Sequence, residues 1–261
     1  MMNIIPDYVY EGLIKLCVIT VGGLFAGWIT HTFFARKAAI VEIEGDVMKK
    51  RISIYEELYK MIDLLNNQEV LPIKRINAAQ GALQEAGFEI KLSTNYPTLS
   101  IMHTAKGFTE TYLKLETYIS SKRLYIDVEV NEKLLILINY LAIIRRLQVM
   151  FEEQIIDGKL PIEDEIITHY EDNLMTELCV LYQEEIESQV TGVLTSLKKA
   201  INTPARYKHK KQDNSLKCFE DKGVIMNYLH EFAIFQQRDN VIKIVENSIA
   251  LAVASKMKKN N

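Results

Sequence analysis

Glu165, His169 and Asp172 stand at i, i+4 and i+7, a spacing that puts all three on one face of a helix. A carboxylate, an imidazole and a second carboxylate in such a row are able to bind a divalent metal. No second ligand set with a recognisable spacing accompanies them. Glu-x-x-His is absent, and His-Glu-x-x-His is absent too, since His230-Glu231 runs on into Phe232-Ala233-Ile234. The row is thus a weak metal candidate, the expected metal content is none, and an exposed histidine on an acidic face is the simpler account.

Other chemistry is no better supplied. G-x-x-x-x-G-K-[ST] and G-x-G-x-x-G are both missing, and Gly158-Lys159 leads into Leu160-Pro161 with no phosphate-cradling loop before it. A G-x-S-x-G elbow is also missing, and no cysteine is paired with a histidine by position. His103 and His230 lie in amphipathic stretches. These residues imply no catalytic group and no cofactor, and they lean away from an enzyme.

Charge is segregated along the chain. Glu152 to Glu187 carries twelve acidic residues against Lys159, and Lys198 to Lys222 carries eight basic residues against three acidic ones. Such neighbouring blocks either neutralise one another within the fold or form two docking surfaces. Arg206, Lys208, Lys210 and Lys211 form the densest basic cluster. Near an anionic leaflet each would gain about 1 kcal/mol, so lipid or a protein partner suits them, and a single loop with a net charge of −3 over the chain does not point to nucleic acid.

A third pattern lies near the start. Leu16 to Phe34 contains no Asp, Glu, Lys or Arg, and nineteen helical residues rise ~28 Å, close to a hydrocarbon core of about 30 Å. Gly22, Ala26 and Thr30 form one row of small residues on it, and Gly23 and Gly27 form another, the spacing that lets two membrane helices associate closely. Asp7 and Glu11 precede the segment and Ala35-Arg36-Lys37 follows it, which is unlike a cleaved signal peptide. Basic residues gather on its C-terminal side, so the expected topology is single-pass in the plasma or inner membrane, N-terminus outside and body cytoplasmic.

The elements that would hold these residues are helical. Only 11 Gly and 5 Pro interrupt the chain, which favours long helices. Ile40, Ile43, Val47, Ile54, Leu58, Met61 and Leu65 form an amphipathic stripe ending at Asn66-Asn67. Helices are expected over Ile73–Ala86, stopped near Gly87, then over Leu99–Ser120, Asn131–Ile156, Ile162–Ile201, Leu216–Gln237 and Asn240–Met257. Leu134 to Ile144 reads LLILINYLAII, eleven residues followed by Arg145-Arg146, too short alone to span a bilayer and best placed in the centre of the body. Cys179 sits in an apolar stretch, and three widely spaced cysteines resemble buried thiols in a reducing compartment.

The expected fold is all-α: one N-terminal transmembrane helix followed by a cytoplasmic antiparallel helical bundle. Residues 1–36 would be the anchor, 37–66 an amphipathic stalk, 67–202 the bundle core, 203–215 a basic loop and 216–261 a C-terminal helical pair. The expected function is a membrane-anchored scaffold, adaptor or sensor holding a protein partner at the inner leaflet. The alternatives are an oligomerising membrane effector that perturbs the bilayer and a tethered enzyme with an unrecognised site. A Lys-, Asn- and Ile-rich composition resembles that of low-GC bacteria.

Overall fold

The computed structural model describes residues 41–157, 164–202 and 228–259, together with His31 and Lys37. The chain divides into two units, Met1–Lys50 and Arg51–Asn261. In the first, residues 41–50 are helical, and Val41 and Ile43 lie exposed. Leu16–Phe34, with its small-residue rows, lies outside the described residues apart from His31.

The second unit opens with helix α1 over 51–63. Ile54, Leu58 and Ile62 recur every fourth residue and are buried with Tyr55, the stripe an amphipathic helix needs to join a core. A 3-10 turn, Leu64–Asn66, leads to strand β1, Gln68–Val70, which pairs antiparallel with β2, Pro97–Leu99, in the register Gln68↔Leu99 and Val70↔Pro97. Helix α2, Ile73–Glu85, lies between the strands. It stops at Gly87, whose φ of 96° is open to glycine without steric cost. There Gly87 N–H donates to Gln84 and Phe88 N–H to Leu83, which satisfies the last carbonyls of the helix.

After a second 3-10 turn at Ser100–Met102, Thr104 accepts a hydrogen bond from Gly107 N–H and starts α3, Ala105–Lys122. Helices α4, Val128–Asp157, and α5, Asp164–Asn202, form the centre. Side-chain bonds link Glu129 to Lys199, Tyr140 to Glu185 and Gln148 to Glu171. Positions that climb along one helix as they descend along the other make the pair antiparallel. Helix α6, Ala233–Gln236, and α7, Arg238–Lys259, complete the described chain, with α7 packed on both central helices, α2 on α5 and α3 on α4. The result is a mostly helical body with long-range packing in the manner of a bundle.

Three expectations are corrected. The all-α fold with an N-terminal membrane helix gives way to a mostly helical fold with a two-stranded sheet. Among the described residues, the one helix long and apolar enough to cross a membrane is Val128–Ile155, in the middle of the chain. This also overturns the single-pass, N-outside topology in the plasma or inner membrane, which rested on the N-terminal segment. The physical reason is continuity. The expected helix runs over Asn131–Ile156 with only Leu134–Ile144 counted as its apolar part, but Leu147, Val149, Met150 and Phe151 follow Arg145 and Arg146, so the two arginines interrupt a longer apolar stretch and do not end it. Half of its most apolar window is buried inside the body, which the core helix of a bundle also satisfies. Finally, α3 begins at Ala105 rather than Leu99, because Pro97–Leu99 pairs with β1.

Candidate functional site

The metal row separates in the folded chain. Glu165 and His169 are exposed on the first turns of α5, and His169 meets Asn173 at 3.3 Å and the edge of Tyr170. Asp172 faces α3, where its Oδ1 accepts from Ala105 N–H at 2.8 Å, and its backbone carbonyl accepts from Arg75. Its carboxylate is committed to an α3 backbone amide at the helix start, where negative charge is favourable. Among the described residues no group of three His, Cys, Asp or Glu side chains is placed to hold a metal. Arg206, Lys208, Lys210 and Lys211 lie outside the described residues, as do Gly22, Gly23, Ala26, Gly27 and Thr30.

Buried polar groups concentrate instead at joints between helices. At the base of α1, the guanidinium of Arg51 pairs with the carboxylate of Asp127 and donates from Nε to the Tyr125 carbonyl at 3.0 Å. Tyr55 donates to Asp127 Oδ2 and accepts from Asp127 N–H, both at 2.8 Å. Burial raises the Tyr55 phenol above its usual range, so it remains a neutral donor. Near the far end of α4, Gln148 Nε2 donates to Glu171 Oε1 at 2.6 Å and to Glu152 Oε1 at 3.3 Å, while Arg145 donates to Glu152 at 2.9 Å. At the third joint Glu185 accepts from Tyr140 at 2.6 Å and from Ala233 N–H at 2.8 Å, where Phe232 meets Tyr140 edge-on.

Two further groups are sealed inside. Glu177 is 4% exposed with Oε2 unpartnered, and burial pushes its carboxyl up to about 8 against the pull of a Ser248 hydrogen bond. Cys179 is a buried free thiol pushed up to about 12, chiefly by burial, and is no nucleophile at neutral pH. His103, bonded to Thr98 at 2.8 Å, is held below its usual range by burial.

The open concavities lie on the surface. One, of ≈ 450 Å³, runs between α1 and α3, with Met61, Leu113 and Tyr118 as its apolar part and Lys114 and Lys122 beside them. Tyr118 donates to Glu57 across it at 2.7 Å, and Leu113 is 50% exposed. A second, of ≈ 540 Å³, lies between α1 and the end of α5 and is lined by Glu56, Tyr59, Lys60, Lys198, Ile201 and Asn202. Neither brings an acid, a base and a nucleophile together.

Sequence reasoning passed over both the Glu152–Glu171 pair and the α1–α3 groove. The pair had a signal: its members lie at similar distances on either side of Asp157–Asp164, where two long helices fold back on each other. The groove had none, because α1 and α3 are distant in sequence. Comparison of the chain with protein-family models, curated proteins and solved structures yields no match.

Proposed function

We propose that the chain is a helical interaction protein, a scaffold, adaptor or sensor, whose body docks an acidic amphipathic helix of a protein partner in the groove between α1 and α3. One observation carries this reading: half-exposed Leu113 lies with Met61 and Tyr118 between Lys114 and Lys122. An amphipathic helix laid in such a groove buries its apolar face on the first three and presents carboxylates to the lysines. The polar groups at the three joints hold helices to one another, which suits a rigid docking platform.

The test uses the full chain and a fluorescent acidic amphipathic peptide followed by anisotropy. Leu113→Asp should weaken binding by about tenfold or more, since a central apolar anchor is worth ~1.4 kcal/mol or above. Reversing Lys114 and Lys122 to Glu should weaken it further and invert its salt dependence, since salt then screens a repulsion. Stability should move by no more than about 0.5 kcal/mol, as these are surface positions. No peptide binding, or binding indifferent to all three changes, overturns the reading.

A second reading, a membrane effector, has its own support in Val128–Ile155, which has the length and composition to cross a bilayer. In the folded body that helix is packed against α3, α5 and α7, so contact with lipid requires it to leave them. Dye release from anionic vesicles by the unmodified protein, rising with protein concentration, favours this reading. Intact vesicles at all protein concentrations sink it.

A further inference from the structure

One side-chain amide holds three helices together. Besides its two bonds to Glu171 and Glu152, Gln148 Nε2 reaches the Ala105 carbonyl at 3.4 Å, and Gln148 Oε1 accepts from the Thr109 hydroxyl at 3.0 Å. The first turns of α3 are therefore seated on α4 and α5 through the same group that gathers the two carboxyls. An amide nitrogen has two hydrogens to offer three acceptors. Two carboxylates drawn to it in a half-buried site raise one another's cost of ionisation.

We propose that this joint is a proton-operated clamp, in which a proton held by Glu171 lets it hydrogen-bond to Glu152 and keeps the start of α3 seated, while loss of that proton sets the carboxylates against each other and loosens the seat. The inference goes beyond partner docking and does not depend on it. The charged neighbours are accounted for on each packed element. Helix α4 brings Glu152 and Arg145, whose guanidinium offsets part of the repulsion. Helix α3 brings Thr109 and the Ala105 carbonyl, both neutral, with Tyr112 and Glu116 beyond Arg145. On α5 itself Asp172 is turned to Ala105 N–H, and Arg75 of α2 sits on the Asp172 carbonyl.

Titration supports the geometry. Glu171 is pushed from 4.5 up to about 7, first by burial and then by Glu152, with Gln148 and Arg145 pulling the other way. A carboxyl whose folded value is raised stabilises the closed joint fully below the unfolded value, and that contribution is lost as pH rises through the folded value. The clamp thus tightens on acidification. His103, just before α3, works in the opposite direction, because burial lowers its value and acid strains its site.

The experiment is amide hydrogen exchange of the full chain between about pH 5 and pH 8, corrected for intrinsic rates. In the wild type, opening of residues 105–112 should rise by up to about tenfold per pH unit below 7 and then level off. Glu171→Gln, which cannot ionise, should abolish that rise, and Glu152→Gln should weaken it by removing the like charge. A carbon-detected titration of the unmodified protein, which needs no variant to fold, should place Glu171 near 7. A Glu171 titration near its ordinary value, or a Glu171→Gln profile matching the wild type, overturns the clamp.

Discussion

Glu177 and Asp127 are both carboxyls at helix contacts, and their surroundings give them opposite roles. Asp127 is matched by the Arg51 guanidinium, the Tyr55 hydroxyl and its own position ahead of α4. Removing the half-buried carboxylate leaves the buried Arg51 guanidinium without its counter-charge, so Asp127→Ala should cost about 1–3 kcal/mol. Denaturant unfolding would measure it, and Tyr55→Phe should cost only about 1 kcal/mol in the same experiment. Among the described residues Glu177 has no cation beside it, and burial favours its protonated form. Its contribution is complete below about 4.5 and lost as pH climbs through about 8. Glu177→Gln should therefore lessen the fall in melting temperature between mildly acid and alkaline buffer, a difference that paired thermal melts would show.

Helix ends and helix joints decide what an element tolerates. The stop of α2 depends on the left-handed backbone of Gly87, so Gly87→Ala should cost about 1 kcal/mol although the space around it is open. Helix α6 is tied down by Glu185, which accepts from Tyr140 of α4 and from the first amide of α6. Glu185→Ala should expose residues 233–237 to limited proteolysis while leaving α2, α3 and the separately packed α7 protected. Equal loss of protection in all helices would show that Glu185 supports the whole core and not this one attachment. Much at this scale was legible in the sequence. Gly87 marked the end of α2, and the stretch Ile162–Ile201 anticipated α5 at Asp164–Asn202, because breakers and apolar periodicity act locally. The β1–β2 pairing was not legible, since three-residue strands some thirty positions apart leave no periodic trace.

Across the whole second unit, two raised carboxyls on α5 face different neighbours, Glu171 toward α4 and Glu177 toward Ser248 of α7. Both lose protons as pH rises through about 7 and about 8, so the body should be most resistant to heat in mildly acid solution and less so above pH 8. Melting curves of the wild type and the Glu171→Gln, Glu177→Gln double variant would test this, with the double variant expected to have the flatter profile. By itself the sequence determined the long helices α2, α4 and α5, that Leu134–Ile144 is core material and that Cys179 is buried, because each follows from the spacing of apolar residues along one segment. The expected helix Leu216–Gln237 is instead interrupted by a turn at residues 230–232. The tertiary structure alone decided that Asp172 accepts from the first amide of α3 and that Glu152 meets Glu171. Those outcomes depend on which helix faces which, and that is settled by packing between segments far apart in the chain.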